Sequence, residues 1–282
     1  MASVDLGHHQ NHEMVWATRD LHAAGWSRRS LVRAVADGTL TRVRQGRFVA
    51  ADTHDDVVAA ARVGGRLDCI SLLALRGVFV HHHADRHVQQ DRLASRRPPA
   101  PGGVVYHWRP SSATRNRLTV DVVEALAQAI RCQPPRSAVA TLDSAWHLGL
   151  VDEADIGEVF SRVPQRFQVL RRLVDPRAEA GTESLARLLL RQLGCRIELQ
   201  VRIDGVGRVD LLVDGWLIVE CDSEQFHGTW DAHKNDRRRD MAALERGYTT
   251  LRLLAEDILY HPDRVRTALE RILAHGQRGR NS

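Results

Sequence analysis

Lysine is almost absent from this chain: among 40 lysines and arginines in 282 residues, Lys234 is the one lysine. Arginine in lysine's place is what a GC-rich genome produces, so basic character alone does not argue for nucleic acid. Long apolar runs are missing too. No stretch approaches the roughly 18 apolar residues that a membrane span requires. The first residues, with Asp5, His8, His9 and Glu13, lack the basic-then-apolar order of a signal peptide. Together these absences predict no membrane association and retention in the cytoplasm. Closely spaced cysteines are also lacking. Cys69, Cys132, Cys195 and Cys221 form no CxxC pair, which argues against a zinc site or disulfide framework and predicts reduced, partly buried thiols. The run His81-His82-His83 with His87 has no partners at a defined ligand spacing and reads as a surface loop.

What is present is globular: 43% hydrophobic and 27% charged residues exclude a disordered chain. The length points to about two to three domains, and no internal repeat is visible. Charge is uneven. Residues 1–180 hold 24 arginines against 19 acidic residues, whereas residues 181–282 hold 16 cations and 16 carboxylates. A basic front half suits nucleic-acid contact.

The pattern divides the chain into three stretches. Residues 1–51 read as helix (about Val15–Ala24), turn at Gly25-Trp26, helix (Ser27–Ala36, with Ser27 as N-cap), then a hairpin around Gln45-Gly46. Leu31, Val32 and Val35 supply an apolar face and leave Arg28, Arg29 and Arg33 largely on the other. That order is the layout of a winged helix-turn-helix, in which Arg28, Arg29 and Arg33 would contact DNA from the second helix and Arg42 and Arg44 from the wing. The same arginines also suit a solvated face on a small helical domain. The stretch Ala24-Gly25-Trp26-Ser27-Arg28-Arg29 through Gly46-Arg47-Phe48-Val49 resembles the N-terminal winged-helix domain of AbiEi-type antitoxins. The resemblance implies a DNA-binding regulator, with a protein partner of the toxin–antitoxin type. Residues 52–175 read as mostly helical (Asp55–Arg62, Leu67–Leu75, Val120–Ile130, Arg136–Leu148, Glu153–Phe160), with a strand at Val104–Trp108 and no role apparent from the pattern.

After Asp175-Pro176 the pattern changes. Thr182 caps a helix with an apolar stripe of Leu185, Leu188, Leu189 and Leu193, closed by Gly194. Strands at Arg208–Val213 and Trp216–Asp222 follow, then a charged helix (Asp231–Arg246), a strand (Tyr248–Leu253) and a last helix (Asp263–His275). Residues 176–282 are thus expected to form a mixed sheet flanked by helices, and the whole chain to be α+β or α/β. Within this frame, Asp210 interrupts one apolar run, and Glu220 and Asp222 end the next. Ionised groups beside a strand core are costly unless compensated. If the three converge, a divalent cation relieves their repulsion, and hard oxygen ligands describe Mg²⁺ or Mn²⁺ acting on nucleic acid. Ordinary readings stand beside this one. Glu183 suits a helix N-terminus, Asp210 a turn-proximal edge strand, and Asp231, Asp236, Arg237 and Asp240 a solvated helix face.

Glu183, Asp210, Glu220-x-Asp222, His227 and Asp236-x-x-Arg239, with Gly247-Tyr248 and Leu251-Arg252, resemble a bacterial family related to the very-short-patch-repair (Vsr-like) endonucleases, within the PD-(D/E)xK group. The resemblance covers about residues 178–262. It implies a restriction-endonuclease-like fold, a DNA substrate, Asp210 and Glu220 as metal ligands, Glu183 in support, and Asp222 and His227 in place of the usual lysine. That group carries Glu-x-Lys, so Asp222 is a departure, as is Ser223 where a glycine is usual. Retention of the carboxylates favours a metal-dependent DNA endonuclease. Loss of the lysine favours an antitoxin-type DNA-binding regulator with a non-cleaving nuclease-like domain, and an RNA-directed nuclease is the weaker third reading. One geometric expectation follows. A two-residue turn at Asp214-Gly215 would set Asp210 opposite Val219, away from Glu220, so convergence requires a three-residue or bulged turn with Gly215 left-handed.

Overall fold

The computed structural model describes residues 11–92, 102–222 and 230–280. It is a mixed α+β chain with three small sheets, and it divides into two compact units. One comprises Met1–Val78, His82–Cys132 and Gly157–Val163; the other Phe79–His81, Gln133–Ile156 and Pro164–Ser282. No helix among the described residues is long and apolar enough to cross a membrane.

The first unit opens with β1 (Trp16–Ala17), α1 (Thr18–Ala23), α2 (Arg28–Ala36), β2 (Leu40–Arg44) and β3 (Arg47–Ala50), in a sheet of order β1-β3-β2. Ser27 caps α2 as expected, its Oγ accepting the Ser30 N–H at 3.0 Å. The hairpin turns at Gln45-Gly46, with Gly46 at φ 66°. The buried face of α2 differs from expectation. Leu31 and Ala34 pack with Leu21, Leu40 and Phe48, whereas Val32 is 66% exposed and Val35 is exposed too. Positions 31 and 34 lie one turn apart and exhaust the face that so short a helix presents to its small core.

Next come α3 (Asp55–Arg62), β4 (Arg66–Leu67), α4 (Cys69–Leu75), β5 (Arg86–Gln90), β6 (Val104–Trp108) and α5 (Val122–Cys132). β5 pairs antiparallel with β4 and parallel with β6. This region therefore contains a sheet where the sequence pattern shows helices and one strand. β5 escapes the pattern because Val88 is its one apolar residue, yet His87, Gln89 and Gln90 are all buried. Side-chain hydrogen bonds make that tolerable. Gln89 Nε2 donates to the Arg109 carbonyl at 2.6 Å and Gln90 Nε2 to the Val63 carbonyl at 2.9 Å. His87 accordingly lies in a buried strand and not in a surface loop.

In chain order α6 (Pro135–His147), α7 (Glu153–Ser161), α8 (Gly181–Gln192), β7 (Ile197–Ile203), β8 (Gly207–Val213), β9 (Leu217–Asp222), α9 (Trp230–Glu245), β10 (Thr249–Leu254), α10 (Ala255–Tyr260) and α11 (Pro262–Arg280) follow. The second unit's sheet has the order β10-β9-β8-β7, with β10 parallel to β9 and the other pairs antiparallel. A mixed sheet with flanking helices was expected; β7 and α10 are additional. Thr182 does not cap α8. The N-cap is Ala180, and Thr182 is buried in the first turn. Gly181 is required there, because a Cβ would lie 2.1 Å from the Phe79 ring. α8 is buried on every side along its first ten residues. Leu185, Leu189 and Leu190 fill the core with Leu211, Val213, Leu217 and Val219. Its buried charge, Arg187, is matched by Asp143 of α6, which accepts from Arg187 NH2 (2.7 Å), Ser184 Oγ (2.6 Å) and the Asp175 N–H (2.7 Å).

Removing one partner of such a buried pair strands the other. Asp143→Ala is expected to destabilise the protein by about 3–5 kcal/mol, read as a fall in the denaturant midpoint. A change within about 0.5 kcal/mol, the scale of an ordinary surface substitution, would refute this account of α8.

Candidate active site

The site starts from a turn. Val213 pairs with Leu217, Leu212 with Ile218 and Leu211 with Val219, so Asp214-Gly215-Trp216 form a three-residue loop. Asp214 (φ 49°) and Gly215 (φ 72°) are both left-handed, and the Trp216 N–H closes the loop on the Val213 carbonyl at 3.1 Å. This is the parity that convergence requires. Glu220 lies close enough to Asp210 to feel its charge, and Asp210 Oδ2 accepts the Cys221 N–H at 2.9 Å.

A second irregularity lies across the sheet. Gln200 has φ 54°, and the β7–β8 ladder skips the Gln200/Asp210 position between Leu199↔Leu211 and Val201↔Val209. A left-handed residue other than glycine costs about 1–3 kcal/mol and marks a constrained position. Its effect is visible in packing. Val209 and Leu212 belong to one apolar cluster and Leu211 and Val213 to another, so strict alternation breaks at Asp210. The strained residue is also put to use: Gln200 Nε2 donates to Glu183 Oε2 at 2.8 Å, and its Oε1 accepts from Arg208 Nε at 2.6 Å.

Glu183 stands in the first turn of α8 and is 6% exposed. Its Oε2 also accepts the Glu179 N–H at 3.0 Å. Burial, and then the Asp210 charge, push its carboxyl up to about 7. Burial and Asp210 likewise raise Glu220 to about 7, against the opposing pull of Arg239. Arg239, from α9, reaches Glu220 Oε1 at 3.3 Å and is held by the carbonyls of Val206 (2.9 Å) and Arg208 (2.7 Å). Asp222 is exposed at the end of β9, 3.8 Å from Arg252, which also bonds Asp240 at 2.9 Å. The thiol of Cys221, a half-buried residue, is pushed well up by burial and then by the charges of Asp210, Glu183, Glu220 and Asp222.

Glu183, Asp210 and Glu220 are thus brought together, with Asp222 toward the rim. His227 falls in residues 223–229, outside the described residues. Lys234 is exposed on α9. Arg28, Arg29, Arg33, Arg42 and Arg44 are all exposed in the first unit, and Arg44 also lines a cleft of about 220 Å³ with Arg47, Arg66, Arg115 and Arg117. Sequence reading missed Gln200, whose role depends on a backbone conformation with no residue signature. It also missed Arg239 as the cation on Glu220; the Asp236-x-x-Arg239 pattern was its one visible trace. Finally, it set aside Cys69, Cys132 and His87 and did not consider His107; the ligand atoms of these four lie within 4.8 Å of one another.

The donor set, buried Glu183 with half-buried Asp210 and Glu220, offers hard carboxylate oxygens, the kind of ligand that Mg²⁺ and Mn²⁺ take. The buried Cys/His group does not. No family model and no curated protein matches this chain.

The raised acids carry a pH signature. Between 4.5 and about 7 the folded chain keeps a proton on Glu183 that the unfolded chain has released. Stability from this group is therefore full below 4.5 and lost as pH rises through about 7. Glu183→Gln should gain on wild type over that window, by on the order of 3 kcal/mol without divalent metal. Thermal unfolding at about pH 4.5 and about pH 8 measures it; a pH-independent difference between the two proteins would contradict the assignment.

Proposed function

We propose that this protein is a metal-dependent DNA endonuclease of the PD-(D/E)xK type, joined to a winged-helix DNA-binding segment. One observation carries the reading: the three-residue loop sets Asp210 against Glu220, beside Glu183, at the centre of a mixed sheet. Burial and the nearby Asp210 charge raise the ionisation cost of Glu183 and Glu220, and a bound cation would relieve it. Asp210 and Glu220 would hold Mg²⁺ or Mn²⁺, with Glu183 in support. The ion supplies charge stabilisation on the phosphate and an acidified water. Glu183, fixed by Gln200 and the Glu179 N–H, holds its carboxylate in place. Arg239 keeps Glu220 oriented and offsets part of the charge. Hydrolysis breaks one P–O bond: water adds to phosphorus, its proton passes to a base, and the departing oxygen takes up a proton. Asp222 and His227 are the residues expected to manage those protons.

DNA binding is assigned to α2 and the β2–β3 wing. Arg28, Arg29 and Arg33 supply phosphate contacts or base-edge contacts, with Arg42 and Arg44 on the wing. Val32, 66% exposed among these arginines, suits apolar contact with a thymine methyl in the major groove.

A regulator that binds DNA without cutting it is the second reading. Asp222 in lysine's place, tied to Arg252, favours it.

Two measurements separate these readings. Wild type incubated with plasmid and single-stranded DNA and Mg²⁺ or Mn²⁺ should cleave, and EDTA should stop it. Asp210→Asn keeps the shape but loses the charge, and should lower the rate on the order of 1000-fold. Equal nicking by both would assign the activity to a contaminant, and binding without cleavage by either would favour the regulator. Separately, Arg28, Arg29 and Arg33 replaced together by alanine should weaken DNA binding. The slope of log K against log salt should become shallower by about 0.9 for every phosphate the variant leaves unneutralised. An unchanged slope would remove α2 from the interface.

A further inference from the structure

We propose that Cys69, His87, His107 and Cys132 form a four-coordinate Zn²⁺ site that fastens α4, β5, β6 and α5 together. Cys69 is the first residue of α4, His87 lies in β5, His107 in the adjacent parallel strand β6, and Cys132 ends α5. Four separate elements thus turn their softest donors toward one point, with all four ligand atoms within 4.8 Å. His87 Nδ1 lies 3.0 Å from His107 Nε2, and Cys132 Sγ lies 3.8 Å from His107 Nε2. With Zn–N of about 2.0–2.1 Å and Zn–S of about 2.3 Å, a tetrahedron has ligand–ligand edges of about 3.3–3.8 Å. The observed spacings approach those of a closed structural site. Two thiolates with two imidazoles select zinc over magnesium or calcium.

The surroundings are those of a built site. Cys69 is 0% exposed and the two histidines 8% each, while Cys132 is the ligand open to solvent. The backbone of Cys69 is left-handed, at φ 53°, which an ordinary helix start does not need. Asp68 Oδ1 holds the Cys69 N–H at 2.7 Å and is itself gripped by Arg109 NH2 at 2.7 Å. Arg109 is anchored in turn on Glu124 at 2.8 Å. Asp68 Oδ2, fully buried, has no hydrogen-bond partner among the described residues, and Asp68 is close enough to His107 for their charges to interact. Gln128 Nε2 points at Cys132 Sγ from 3.2 Å, a donor suited to thiolate.

The test uses the full chain, purified under reducing conditions and kept apart from any cleavage assay. Elemental analysis should find one equivalent of zinc that survives gel filtration. Exchange with Co²⁺ should give tetrahedral d–d bands and a thiolate-to-cobalt charge-transfer band. Cys132→Ser, at the exposed ligand, and His107→Ala should lose the bound equivalent. Asp210→Asn should keep it, which separates this site from the acidic cluster. Should the ligand variants fail to fold, the wild-type cobalt spectrum decides alone. Folded, reduced wild type that takes up neither zinc nor cobalt overturns the proposal, as does metal retained in both ligand variants or a Cys69–Cys132 disulfide in chain free of metal.

Discussion

The parity of one turn governs the second unit's chemistry. A strand alternates its side chains, so adding a residue to the loop at Asp214-Gly215-Trp216 changes which of them share a face. With three loop residues, Asp210 meets Glu220 and receives the Cys221 N–H; with two, Val219 would stand opposite it. Left-handed backbone at both Asp214 and Gly215 permits that loop, and the Asp214 side chain reinforces it by accepting the Arg196 N–H at 2.8 Å.

α8 carries the consequences of burial most heavily. One stretch of helix supplies apolar side chains to the core, the cation Arg187, and the acid Glu183. Arg187 is neutralised by Asp143 in a pair whose remaining hydrogen bonds are nearly all made, although Arg187 Nε lacks a partner among the described residues. Glu183 has hydrogen-bond donors but, among the described residues, no cation, and faces Asp210 instead. Two buried charges about one helical turn apart are thus treated oppositely. The contrast is between an ion pair that serves the fold and an acid whose carboxyl burial and a neighbouring carboxylate push up to about 7.

The region after the β2–β3 hairpin shows the same economy of polar burial. Arg109 joins Asp68 to Glu124. Burial alone would raise Glu124, but hydrogen bonds from Arg109 and Ser112 outweigh it and bring the carboxyl to about 2. A strand as polar as β5 is stable here because its glutamines find backbone carbonyls and His87 finds His107.

Local rules made much of this legible in the sequence. Ser27 capping α2, the strand at Val104–Trp108, α3 at Asp55–Arg62, the glycine stops at Gly194 and Gly247, and the mixed sheet around the acidic run all follow from periodicity, capping and turn chemistry. The convergence of Asp210 with Glu220 was legible as a conditional, resting on loop length. Other features depend on distant partners. Val32 and Leu31 are equally apolar, and the core chose one. Gln200 gained its role from a backbone kink, and Thr182 lies inside the first turn of α8, with Ala180 at the N-cap. Cys69, His87, His107 and Cys132 come from four elements with no ligand spacing between them. Their meeting is a property of how α4, β5, β6 and α5 pack, and residue order along a chain carries no record of a site assembled only by packing.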